Sequence, residues 1–146
     1  MQNKTNWLAL LVAVVAASGI GFFWYSIAFQ DIWAAGNDIV MQSNDIGIKV
    51  VNGKEVVLDS AMPLLINEVA LIIYAFVFNW LINKTGMIGW QNGALLGATI
   101  GFFVLMFHYT GNRFSATPTS LSIIDGSYAI VLLTTMSAII GGWRKG

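Results

Sequence analysis

Four apolar runs alternate with polar segments along this chain, at about residues 7–29, 64–82, 88–109 and 123–143. A bilayer-crossing helix needs about 20 mainly apolar residues, and each run is of that order. The last run, IIDGSYAIVLLTTMSAIIGGW, holds one carboxylate, Asp125, with Tyr128 three residues on, and closes on Trp143-Arg144-Lys145. The pattern predicts an all-α membrane protein: a four-helix transmembrane bundle, residues 1–146 forming a single membrane domain. The first run has a rival reading as a secretory signal, with Lys4 ahead of it and Val15-Ala16-Ala17 as a cleavage site. A signal's apolar region is only about 7–15 residues. Here it continues through Trp24-Tyr25, so an uncleaved membrane helix is expected.

Residues 30–63 form the one long connection. It is acidic, with Asp31, Asp38, Asp45, Glu55 and Asp59 against Lys49 and Lys54. Two short β-branched runs flank Asn52-Gly53, a pair that tolerates the positive φ of a two-residue hairpin turn. A small extramembrane β-hairpin over 48–58 follows. An isolated hairpin is marginal in water, so it should lean on the membrane domain or on another copy. Asn83-Lys84-Thr85-Gly86 makes a tight link between the second and third spans. A loop rich in Ser and Thr leads to the fourth.

Composition agrees: 57% of residues are hydrophobic and 10% charged, against about 25% charged in soluble domains. Net charge is zero, so no nucleic-acid footprint exists. There is no cysteine and a single histidine, His108. Disulfides, thiolate metal sites and multi-histidine sites within one chain are excluded, and neither metal nor cofactor is expected. Four spans place both termini on one side, with Lys4, Lys84, Arg144 and Lys145; a slight positive-inside bias makes that side cytoplasmic. Trp7, Trp80, Trp90 and Trp143 form one interfacial belt on that side. Trp24, Tyr25, Trp33, Tyr109 and Tyr128 form the other.

Ile20-Gly21-Phe22-Phe23 recurs as Ile100-Gly101-Phe102-Phe103. At that offset Ala13, Ala17 and Gly21 match Gly93, Gly97 and Gly101. Small residues at i, i+4 and i+8 make a stripe where another helix approaches closely. Two helical hairpins related by a pseudo-two-fold, and chance apolar similarity, both account for the match.

Four ionisable groups fall near the outer interface: Glu68, His108, Arg113 and Asp125. Asn112, Tyr109 and Tyr128 share their level. A buried charge without a partner is costly, so either acid should pair with Arg113 or His108. Simpler roles compete. Ser122-x-x-Asp125 fits a capping box, Arg113 can snorkel to headgroups, and His108 suits an interface. Glu68 lies too deep for capping. No metalloprotease, nucleophile-elbow, phosphate-loop or dinucleotide motif is present.

Asn6-Trp7, Gly21-x-x-Trp24-Tyr25-Ser26, Phe29, Trp33, Asn112-x-Phe114 and Ile124-Asp125-x-x-Tyr128 through Gly141-Gly142-Trp143 resemble a family of small four-span membrane proteins. It is catalogued as domain of unknown function 1761. The stretch from about Asp38 to Ser60 departs from its pattern. The resemblance implies a mainly bacterial integral membrane protein, hence the inner (plasma) membrane, and supplies no catalytic residue. Three functions remain open. The first is binding or transport of a small or lipophilic molecule in a polar-lined cavity near the outer leaflet. Glu68, His108, Asp125, Tyr128, Trp24, Tyr25, Asn112 and Arg113 would line it, in a homo-oligomer. The second is an accessory or structural subunit. The third is an interfacial enzyme using an acid and His108.

Overall fold

The fold is taken from a computed structural model that describes residues 5–43, 46–59 and 61–144. Helix α1 (Trp7–Phe23) runs into a π-helical turn (Trp24–Ala28) and then a short α2 (Gln30–Gly36). Strands β1 (Ile39–Met41), β2 (Ile46–Val51) and β3 (Lys54–Asp59) follow, then α3 (Ala61–Thr85), α4 (Trp90–Phe114) and α5 (Thr119–Gly142). Among the described residues four helical stretches are long and apolar enough to cross a membrane: Trp7–Ala28, Ala61–Thr85, Trp90–Phe114 and Thr119–Gly142.

The helices overrun the apolar runs. α3 opens at Ala61, α4 continues to Phe114 and α5 opens at Thr119. Hydropathy marks the thickness of lipid, whereas backbone hydrogen bonding continues into the polar turns outside it. Asn6 caps α1, its side chain accepting the Ala9 N–H at 3.2 Å, which satisfies one of the unpaired first-turn donors.

The hairpin is β2–β3, turning at Asn52 (φ 52°) and Gly53 (φ 75°), the signs a type I′ turn requires. Its strands are a little longer than expected, and β1 joins them in an antiparallel sheet of order β1-β2-β3. β1 is only three residues, Ile-Val-Met, too short to stand out in a pattern of alternation.

α5 is the central helix, packing against α1, α2, α3 and α4. Its Leu132, Leu133, Met136 and Ile140 form one core with Leu10, Ala13 and Ala17 of α1 and with Leu71, Ala75, Phe78 and Ile82 of α3. α4 packs chiefly on α5, through Gly93, Gly97 and Gly101. A Cβ added at Gly97 would stand 2.2 Å from the Leu133 carbonyl oxygen, and one at Gly101 2.6 Å from the Ile130 Cα. The backbones are in contact, so dispersion between them holds the pair where lipid removes the hydrophobic drive. The Gly89 N–H also donates to the Gly141 carbonyl at 3.0 Å. The two helical hairpins are therefore packed unequally. α4–α5 is tight and backbone-to-backbone, while α1 and α3 meet each other and α5 through side chains. Large apolar side chains such as Val15, Phe22, Ile73, Phe76, Phe102 and Phe103 face outward, as lipid contact requires.

Gly97→Leu should separate α4 from α5, at a cost of about 1–3 kcal/mol or more. Gly19→Leu is the internal control, since a Cβ at Gly19 meets nothing within 4 Å. Thermal melting of both variants in mild detergent tests this: only Gly97→Leu should melt earlier, and equal melting would refute the seam.

Candidate functional site: an aromatic rim around Asp125

Two departures from regular helix build this site. The first is the π-helical turn at the C-terminal end of α1, where the Phe29 N–H donates to the Trp24 carbonyl at 2.9 Å, a five-residue step. Successive side chains on an α-helix diverge by about 100°. The widened turn lessens that divergence, and both Trp24 and Tyr25 reach α5. The Trp24 indole N–H donates to the Ile124 carbonyl at 3.1 Å. The Tyr25 hydroxyl donates to Asp125 Oδ1 at 2.8 Å. π-Turns recur at functional sites because they re-aim side chains in this way. Nothing in the sequence signals this one, since it lies inside an unbroken apolar run.

The second is α2, which folds back over the start of α5. Ala34 is buried there, and a Cβ on Gly36 would meet the Leu121 side chain at 2.8 Å. This return brings the Trp33 ring to 5.6 Å from Tyr25, edge to face. Tyr128 completes the cluster, its ring centroid 5.0 Å from Tyr25 and 6.2 Å from Trp24. Such T-shaped and tilted pairs suit ring quadrupoles. The Tyr128 hydroxyl lies over Gly21, where an added Cβ would come within 3.0 Å of it. Gly21 thus makes room for a tyrosine rather than for another helix backbone.

Glu68 is placed elsewhere. The Ser18 hydroxyl meets both its carboxylate oxygens, at 2.8 and 3.0 Å, and also the Val14 carbonyl. About two turns, or about 10 Å of rise, separate Ser18 from Tyr25 along α1. Tyr128 is within electrostatic reach of Glu68 and of Tyr74.

The expected pairing of acids with cations is not what forms. Among the described residues neither Glu68 nor Asp125 has an ion-pair partner; both accept hydroxyl hydrogen bonds. His108 is exposed on α4, its ring near Phe107, so the acid–base couple imagined for an interfacial enzyme is not assembled. Arg113 donates to the Thr117 carbonyl and sits over the Tyr109 ring at 5.5 Å. Asn112 donates to Ser122 Oγ at 3.0 Å, tying α4 to α5. The capping box also fails: α5 starts at Thr119, so Ser122 and Asp125 are inside the helix and Ser122 is buried. The common physical reason is rotation. A helical position fixes depth in the membrane but not which neighbour the side chain faces.

The termini side carries a polar contact as well. Arg144 donates to the Asn79 side-chain oxygen, and Asn6 Nδ2 donates to the Trp143 carbonyl at 3.4 Å. Lys4, Asp45 and Lys145, counted above in the charge balance, lie outside the described residues. The best-formed concavities are away from Asp125. One is an open, almost wholly apolar groove of about 650 Å³ along α4, lined by residues such as Phe103, Val104 and Phe107. The other lies between Trp90 and Trp143.

A family model described as a protein of unknown function, DUF1761, matches residues 8–141. The chain belongs to the DUF1761 family. No curated protein and no solved structure matches it. The DUF1761 match covers all of the aromatic rim and nearly all of the four spans.

The Tyr25–Asp125 contact should be measurable in this DUF1761 protein as a coupling. A double-mutant cycle of Tyr25→Phe with Asp125→Asn, read by melting in detergent, should return about 1 kcal/mol, the scale of hydrogen bonds between membrane helices. The same cycle with His108→Ala in place of Tyr25→Phe should be additive. Additivity in both cycles would show that the contact contributes nothing.

Proposed function

We propose that this multi-pass membrane protein binds a small or lipophilic molecule at the Trp24–Tyr25–Asp125–Tyr128 rim. The ligand enters sideways from the outer leaflet. The setting is the bacterial inner membrane, with both termini cytoplasmic, and the working form is a homo-oligomer. The observation that carries the reading is Asp125. It is a half-buried carboxylate at the edge of an aromatic cluster, held by one tyrosine hydroxyl and left without a cation among the described residues. An ionisable group kept in a membrane helix without a structural counter-charge marks a functional site by default.

A second reading, an accessory subunit of a membrane complex, is favoured by one observation. An open apolar groove runs along α4, which suits another helix better than a polar ligand.

Native mass spectrometry from mild detergent separates the two. Binding at the rim predicts a retained small mass that Asp125→Asn removes while the oligomer persists. Oligomers that carry no such adduct in either protein would favour the accessory reading.

A further inference from the structure

We infer that the rim selects a positively charged head, an alkylammonium carried on an apolar chain. This rests on the binding reading above and names the ligand class for the same site.

Consider what the cluster leaves on offer. The Trp24 N–H is taken by the Ile124 carbonyl, and the Tyr25 hydroxyl by Asp125. The Tyr128 hydroxyl lies inward over Gly21. Of the cluster's four side-chain donors, only the Trp33 indole N–H is left without an acceptor and not turned inward among the described residues, so an anion or a sugar would find a single donor there. Two kinds of group that attract a cation remain. One is Asp125 Oδ2, which has no hydrogen-bond partner among the described residues and is not sealed from the surroundings. The other is the set of half-buried aromatic rings of Trp24, Tyr25, Trp33 and Tyr128. A carboxylate and aromatic faces both attract cations, the second through the ring quadrupole.

Among the described residues no cation is paired with Asp125. Arg113 is held by Thr117 and Tyr109, and Arg144 lies at the opposite end on Asn79. Lys49 and Lys54 are on the sheet. No described side chain neutralises Asp125 from within, so a ligand that brings the charge gains what an internal salt bridge would have supplied. The apolar part follows from position: Ile27 and Ile123, beside the cluster in sequence, are exposed and give an alkyl chain a surface to lie along. An amine-bearing lipid headgroup and a free cationic amphiphile share this chemistry.

The test uses the full chain in dodecyl maltoside micelles. Dodecyltrimethylammonium, dodecyl sulfate, phosphatidylethanolamine and phosphatidylglycerol are added in turn, and bound adducts are counted by native mass spectrometry. The ammonium species should be retained about ten-fold or more over their anionic counterparts, the scale of one well-made contact. Asp125→Asn should abolish that preference, and Trp33→Leu, which leaves the carboxylate in place, should weaken it. Glu55→Gln, on exposed β3, should leave it unchanged and so exclude a general charge effect. Retention of phosphatidylethanolamine would identify a lipid source, and retention of the single-chain amine alone a free amphiphile; both support the inference. Asp125-dependent adducts without regard to head charge would overturn the ammonium assignment and leave the binding reading standing. Absence of any Asp125- or Trp33-dependent adduct would overturn both.

Discussion

Inside a bilayer an apolar side chain gains nothing by leaving lipid for protein, so helices adhere by how closely their backbones approach. In this chain that approach is concentrated at the α4–α5 seam, where Gly93, Gly97 and Gly101 sit directly on α5 backbone atoms. The seam holds α5 along most of its length, and α1, α2 and α3 all pack on α5. Its middle carries the side chains that α1 and α3 pack against. Its first turns present the Ile124 carbonyl, Asp125 and Tyr128 to the end of α1, and Leu121 to α2. The aromatic rim inherits its geometry from glycines well over 20 residues away in sequence.

Lipid also dictates how polar groups are answered. Pairing Asp125 or Glu68 with arginine would bring a second charge into the membrane, with its own desolvation cost. Tyrosine and serine hydroxyls deliver a donor without that second charge, and they are what the fold uses. Cationic groups are kept to the ends. Arg144 reaches Asn79 from beyond the last turn of α5, and Arg113 folds onto the loop that follows α4. The outcome is a bundle in which Glu68 and Asp125 are hydrogen-bonded yet have no ion-pair partner among the described residues.

Much of this was legible in the sequence because it depends on one-dimensional quantities. Span number follows from the length of apolar runs, the hairpin from Asn52-Gly53, and the close-packing face of α4 from glycines four residues apart. The rest depends on rotation and on small irregularities. His108 and Asp125 share a level, yet His108 is exposed on α4 while Asp125 faces Tyr25. Ser122-x-x-Asp125 has the spacing of a cap, but α5 begins a turn earlier and turns the motif into helix interior. Trp24, Tyr25, Asp125 and Tyr128 could be grouped by depth and by family resemblance. Their convergence could not, because one extra residue in a turn of α1 leaves no trace in hydropathy.

That extra residue also explains why one end of the bundle, rather than the end that holds the termini, gathers the aromatic cluster. At the termini end the helices end regularly: α1 has an ordinary cap and α3 closes on Gly86. At the other end α1 gives up regular bonding at Trp24–Ala28, breaks at Phe29 and restarts as α2. A π-turn is less favourable than the α-turn it replaces, so it persists only where surrounding contacts hold it. Here they are the Trp24 indole on Ile124, Tyr25 on Asp125, and Trp33 packed back against Tyr25. Turn and cluster are thus mutually dependent. Loss of the Asp125 contact removes one of the reasons for the turn, and a regular helix through Phe29 would swing Tyr25 and α2 away from α5. The site is a local conformation sustained by its own side chains on a scaffold fixed elsewhere, by glycine.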